Sequence, residues 1–253
     1  MNTTKHLTIL TGGSRGMGLA IGQQLLQEGH VLVSIARKTS EALAQAATGT
    51  EQLQQWEQDL SDTAEAARRL NTLLSSLNPD DWASVTLINN AGVIPRIAPI
   101  GQVSALDLQN AMRVGLEAPM ALTGAFLAAT ESWNCPRKVL NISSGLGRRP
   151  MASQAAYCSA KAGMDLFTRC VALEEAQRAN GARLCSLAPG VIDTDMQVQL
   201  RSADPTDFPD IANFQSMKSD SKLTSPADAA ARVIAYMKRE DFGTNPVADV
   251  RDA

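Results

Sequence analysis

The chain predicts an α/β fold, a single doubly wound parallel sheet with helices on both faces. Three observations carry that expectation. Strand-like apolar runs alternate with helix-like stretches along nearly all of the 253 residues, a pattern that implies parallel strands joined by crossover helices. Hydrophobic residues make up 44% of the chain and aromatics only 4%, which favours Ala-rich helices on Val/Ile/Leu strands over an aromatic-rich sandwich. Glycines cluster in a turn directly after the first apolar run, where a nucleotide-binding crossover would need them. No internal repeat or linker divides the sequence, so residues 1–253 are expected to form one domain.

The elements follow in order. The run His6-Leu7-Thr8-Ile9-Leu10 makes a first strand over 6–10 and feeds Thr11-Gly12-Gly13-Ser14-Arg15-Gly16-Met17-Gly18, after which apolar periodicity predicts a helix over 17–28. Glycines there let the backbone approach a pyrophosphate, and the helix N-terminus behind them offers free N–H groups and partial positive charge. Strand, glycine turn and helix together mark a Rossmann-type dinucleotide site. Gly12, Ser14, Arg15, Gly16, Met17 and Gly18 are its candidates, the alternative being a flexible loop without a ligand.

A second strand over 31–36 ends Ser34-Ile35-Ala36-Arg37-Lys38. NAD enzymes place an acid at this point to hold the ribose hydroxyls. None is in reach here, and the forked guanidinium of Arg37 suits a 2′-phosphate, with Arg15 as a second cation. NADPH/NADP+ is therefore the expected cofactor, unless Arg37 and Lys38 are ordinary solvated charges. Further strands are expected at Leu53–Glu57, 84–89, 137–142, 183–188 and Val247–Val250, and further helices at 62–77, 104–130, 154–178 and 226–239, the last opened by Ser225 as N-cap and Pro226 in its first turn. Between Asp193 and Thr224 the alternation breaks. Pro205, Pro209 and scattered apolar residues there read as an irregular lid over a substrate.

Tyr157 and Lys161 stand four residues apart in Tyr157-Cys158-Ser159-Ala160-Lys161, and Ser144 ends the strand-like Asn141-Ile142-Ser143-Ser144. At i and i+4 the phenol and the ammonium share a helical face, so the cation is expected to pull the tyrosine pKa down toward neutrality. Ser144, alongside, can hydrogen-bond the same carbonyl oxygen that Tyr157 protonates. That is a constellation for carbonyl chemistry.

With Asn89-Asn90-Ala91-Gly92 after a strand, and Pro189-Gly190 followed by Thr194, these motifs resemble the short-chain dehydrogenase/reductase family in their order and spacing over nearly the whole chain. Asn141-Ile142-Ser143-Ser144, Ala172-Leu173-Glu174-Glu175 and Asp193-Thr194-Asp195-Met196-Gln197 are most similar to its sepiapterin reductase and bacterial benzil reductase branch. The resemblance implies catalysis by Ser144, Tyr157 and Lys161, with Lys161 also holding the nicotinamide ribose. It implies that Asp59, in Asp59-Leu60, hydrogen-bonds the adenine, that Asn89, Asn90, Ala91 and Gly92 line the adenosine side, and that Thr194 lies near the carboxamide, with Leu60, Pro189, Gly190 and Ile192 also binding the cofactor. Asp59 has a rival role as a helix N-cap. The activity implied is NADPH-dependent reduction of a ketone or α-diketone, in an apolar pocket of Leu146, Met151 and Met196. Alternatives are a sepiapterin-type pterin reductase, for which Asp249 matches the pterin-binding aspartate by position, a catalytically silent NADP(H)-binding regulator, and oxidation of a secondary alcohol. One departure stands out: Val114-Gly115-Leu116 replaces the family's Val-Asn-Leu, whose asparagine anchors a water on the proton relay. Asn110, on another helical face, is not expected to substitute for it, and Gly115→Asn is expected to restore both the relay and the helix. A homodimer, or a homotetramer, is expected through the helices at 104–130 and 154–178, with Leu122, Phe126, Phe167 and Leu173 in the contact.

Charge and composition exclude other classes. The 23 basic and 26 acidic residues give a net charge of −3, and no basic run exceeds two residues, so the electrostatic footprint for nucleic acid is missing. No stretch reaches the eighteen or so apolar residues of a membrane span, and Met1-Asn2-Thr3-Thr4-Lys5-His6 leaves no room for an export signal. A cytoplasmic location is expected. Cys135, Cys158, Cys170 and Cys185 lack metal spacing, and His6 and His30 are the only histidines, so neither a metal site nor a Ser-His-Asp hydrolase is expected.

Overall fold

A computed structural model describes residues 5–252; Met1–Thr4, read above for an export signal, and Ala253 lie outside them. Among the described residues seven strands form one sheet: β1 (His6–Thr11), β2 (Val31–Ala36), β3 (Leu53–Glu57), β4 (Ser84–Asn89), β5 (Arg137–Ile142), β6 (Arg183–Ala188) and β7 (Val247–Asp249). Their order is β3-β2-β1-β4-β5-β6-β7, and every pairing is parallel. The central strands are near-continuous apolar runs because helices cover both of their faces.

One face is covered by α1 (Gly16–Gln27), α2 (Glu41–Ala46) and α9 (Pro226–Lys238), whose Ile21, Leu25, Leu43, Val233 and Ile234 meet Leu10, Leu32 and Leu140 of the sheet. The other is covered by α3 (Thr63–Ser76), α5 (Ala118–Ala129) and α6 (Ala155–Glu175), with Leu70, Leu74, Leu122, Phe126 and Val171 on Ile9, Val85 and Val139. Chain order reverses between β1 and β4, and a doubly wound sheet opens a crevice at that switch point, beyond the carboxyl ends of the strands.

The expected strands form, β3 included: its Gln55 is held at the sheet edge by exchanging hydrogen bonds with the Ser40 backbone. Four details differ from expectation. The short α2 carries too few apolar positions to show periodicity, and is started by the Ser40 hydroxyl accepting from Leu43 N–H. The helix expected over 104–130 is α4 (Ala105–Met112), a π turn over Arg113–Glu117, and α5. The last strand stops at Asp249, and Val250–Asp252 turn as a 3₁₀ helix. Residues 193–224 are not irregular: α7 (Asp195–Arg201) and α8 (Ile211–Ser219) pack Leu200, Phe208 and Phe214 together, with Ile94, Ile97 and Met151 against them. Among the described residues no helix is long and apolar enough to cross a membrane.

Candidate active site

A cleft of about 1200 Å³ runs along the carboxyl ends of the strands. Nucleotide-binding candidates on its wall are Gly12, Ser14, Arg15, Gly16, Met17, Gly18, Arg37, Asp59, Leu60, Asn90, Ala91, Gly92, Pro189, Gly190, Ile192 and Thr194. Ser144, Tyr157 and Lys161 line it too, as do Leu146, Met151, Met196 and Asp249. Asn89 is the exception. It is buried at the end of β4, where its amide donates to Asn141 Oδ1 at 2.8 Å and Thr123 Oγ1 at 3.3 Å. Asn141 donates on to Thr168 Oγ1 at 2.9 Å, so this asparagine ties two strands to α5 and α6 beneath the cleft.

The glycine turn is built for close approach. Gly12 has φ +72°, and a Cβ on it would lie 2.9 Å from the Ala91 Cα. A Cβ on Gly18 would run into the carbonyl oxygen of Gly12. Thr11 locks the two loops together, its hydroxyl accepting from Asn90 N–H and Ala91 N–H at 3.0 Å each. Behind the turn α1 starts without a side-chain cap or an acid in its first turn. Its free N–H groups and dipole thus suit an anion. Arg37 and Lys38 are exposed at the end of β2, and Arg15 pairs with Asp195 of α7 at 2.6 Å across the cleft mouth. The residues present fit a nicotinamide dinucleotide.

Asp59 is not the cap of α3. That role falls to Asp62, which accepts from Glu65 N–H. Asp59 accepts from Ser61 N–H at 2.8 Å, and this bond holds its carboxyl below the usual carboxylate range.

At the floor of the cleft burial dominates the chemistry. Lys161 is buried and donates to the Ile142 carbonyl at 2.7 Å. Desolvation pulls its pKa down to about 8, with Asp165 one turn further along α6 working the other way. Tyr157 was expected to be acidified by Lys161. Instead burial raises its pKa, and a hydrogen bond with Ser144 offsets this only in part. The Lys161 ammonium lies 5.8 Å from the centroid of the Tyr157 ring, and a cation in that position does not outweigh desolvation. Asp165 organises the underside: its carboxylate accepts from Ser143 Oγ and Ser186 Oγ at 2.6 Å each, and Arg148 lies 3.2 Å from its other oxygen.

Gly115 lies in the π turn and faces α6, where a Cβ would stand 3.1 Å from the Ala160 Cβ. Asn110 does lie on another face of the helix, and it is this face that lines the cleft, together with Val114. Asp249 also lines the cleft, but Arg251 grips both of its carboxylate oxygens, at 2.8 and 2.6 Å. Sequence reasoning missed Gln154, Asn110, Gln197, Phe214 and Met217, which share the wall. Gln154 had a signal in its spacing, one turn before Tyr157, and Gln197 closes the Asp193–Gln197 motif; Phe214 and Met217 of α8 sit in no motif.

Comparison with known proteins gives the family. The model of the short chain dehydrogenase family matches residues 6–205. The chain belongs to that family. It is accordingly an oxidoreductase of the class that acts on CH–OH and C=O groups with a nicotinamide cofactor. Benzil reductase ((S)-benzoin forming) of Bacillus cereus is 36% identical over 241 residues, 92% of this chain and 94% of that protein. Sepiapterin reductase of Meriones unguiculatus is 29% identical over 257 residues, 96% of this chain and 95% of that protein. The crystal structure of a short-chain dehydrogenase/reductase from Burkholderia vietnamiensis, 31% identical, superposes with a TM-score of 0.65 over 98% of this chain and 99% of that one.

Proposed function

We propose that the protein is an NADPH-dependent carbonyl reductase that transfers hydride to a ketone or α-diketone, with Tyr157 as the acid. The observation that carries the reading is that one cleft holds a glycine turn, a strand end bearing Arg37, and Ser144 with Tyr157 and Lys161 on its wall. The dinucleotide supplies the hydride. Every other task falls to the chain. The free N–H groups at the start of α1 hold the pyrophosphate, and Arg37 takes the 2′-phosphate in a fork of hydrogen bonds. Lys161 holds the ribose hydroxyls. Ser144 donates to the substrate oxygen, and Tyr157, kept protonated at neutral pH by its raised pKa, hands its proton to the alkoxide as it forms. Residues 193–224 act as the lid, clipped to the glycine turn by Arg15 and Asp195.

On the substrate side Leu146, Met151 and Met196 supply an adaptable apolar wall, and the likeness to benzil reductases supports an aryl diketone. The likeness to sepiapterin reductases favours a pterin as second reading, but Asp249 would have to leave Arg251 to meet one. The test is the loss of NADPH absorbance with purified protein and a panel of ketones, diketones and sepiapterin. Diketone reduction is expected, and Tyr157→Phe should lower turnover by about a thousandfold or more while NADPH affinity stays nearly unchanged. Turnover of Tyr157→Phe within tenfold of the parent would overturn the mechanism.

A further inference from the structure

Gln154 carries an amide that, among the described residues, no group uses. It stands directly before α6, where a side chain ordinarily accepts from an N–H of the first turn, yet it makes no capping bond. The residue is 1% exposed, and both its amide nitrogen and its amide oxygen are buried without a hydrogen-bond partner. A primary amide can donate two hydrogen bonds and accept two. Buried with none of them made, it carries a desolvation cost that an apolar side chain of the same length would not. Gln154 lines the cleft. Three residues before Tyr157, it lies about 4.5 Å from it along the helix axis, on the same helical face. Leu146, Arg149 and Met151, from the segment between Ser144 and Gln154, line the same cleft.

We propose that Gln154 is a substrate-binding residue, whose amide N–H₂ donates to the second oxygen of a 1,2-dicarbonyl or α-hydroxy ketone while the reacting carbonyl sits at Ser144 and Tyr157. The proposal rests on the carbonyl reductase reading above and narrows its substrate class. The amide oxygen and nitrogen exchange places by rotation about the last side-chain torsion, so the N–H₂ can face the ligand. A 1,2-dicarbonyl carries its second acceptor oxygen on the carbon next to the reacting one, and Gln154 and Tyr157 line the same cleft. A simple ketone has no acceptor there and leaves the amide unpartnered, so the site discriminates against it.

The experiment compares an aryl 1,2-diketone with the matched ketone in which CH₂ replaces the second C=O, each with NADPH, in the parent protein, Gln154→Met and Gln154→Leu. Both substitutions are expected to lower kcat/KM for the diketone by about ten- to a hundredfold, to leave the simple ketone within about threefold, and to leave the melting temperature unchanged or raised. Equal losses on both substrates, or a fall in melting temperature with no change in preference, would mean that the amide is structural and would overturn the proposal. So would an unchanged diketone rate, the result expected if an ordered water alone satisfies Gln154. A parent protein that reduces neither ketone fails the carbonyl reductase reading itself, and the subsite with it; a parent that reduces both with a preference blind to Gln154 fails the subsite alone.

Discussion

Lys161 holds its ammonium where water does not reach, and this sets a pH dependence that can be read in advance. Its pKa in the folded protein is about 8 against an ordinary 10.5. Above about pH 8 the buried amine loses its charge, and with it the proposed grip on the ribose and the positive field at Tyr157. kcat/KM for NADPH, which reports groups of the free enzyme, is therefore expected to fall as pH rises through about 8; a flat profile to pH 9.5 would contradict it. Between about pH 8 and 10.5 the unfolded chain binds more protons at this residue than the folded one does, so its contribution to stability rises with pH over that window. Asp165 raises the Lys161 pKa, so Asp165→Asn should move the falling limb below pH 8. It should also cost about 3 kcal/mol of stability by unpairing Arg148 and unsettling Ser143 and Ser186, and pH–rate profiles with thermal melts check both. Arg37 is tested by its charge alone. Arg37→Ala should weaken NADPH by tenfold or more and NADH hardly at all, and titrations showing equal losses would refute the NADPH assignment. The residue types and spacing of this site were legible in the sequence. Their proton affinities were not, because the desolvation that governs Tyr157 and Lys161 is set by burial in the folded chain, which residue spacing does not show.

At the scale of elements the π turn over Arg113–Glu117 changes the expectation for Gly115. Read as an ordinary helix, the segment made Gly115 a missing asparagine whose return would help. In the fold Gly115 is the point where this turn meets α6, with 3.1 Å between its would-be Cβ and that of Ala160. Replacing glycine in a helix gains up to about 1 kcal/mol, while forcing a side chain into a filled contact costs about 1–3 kcal/mol. Gly115→Asn is thus expected to lower the melting temperature by a few degrees and to lower turnover with it, since Ala160 is the neighbour of Lys161. Gly115→Ala should be nearly neutral. A melt and a single-substrate assay check this, and a rise in both would restore the relay reading. The strands were legible because burial on both faces writes them as apolar runs. The π turn, α2 and the two helices within 193–224 were not, because a five-residue turn, a six-residue helix and a satellite core of Leu200, Phe208 and Phe214 leave no periodic signature in their own segments.

Helices α4 and α5, both packed against α6, leave with it four large apolar side chains in solvent. Leu122 and Phe126, expected at a contact between copies, are buried inward on the sheet, and Phe167 is partly buried against the same core. Leu173 remains, 71% exposed, and Leu106 of α4, Met120 of α5 and Leu166 of α6 join it at 72%, 43% and 60%. A single exposed leucine needs no explanation, but four large apolar side chains on the same helical layer are costly to leave in water. A second copy related by a two-fold axis can bury them, since such an interface presents the same patch to itself. Light scattering at micromolar concentration is expected to give at least twice the chain mass. Leu166→Lys with Leu173→Lys should reduce it to one chain, because like charges brought together across the axis repel and each lysine must be desolvated. The cleft opens at the carboxyl ends of the strands and Leu173 lies near the far end of α6 from Tyr157, so the doubly substituted chain should keep its fold and bind NADPH. A parent protein that scatters as a monomer would end this prediction, and a doubly substituted protein that stays assembled would move the interface to another face.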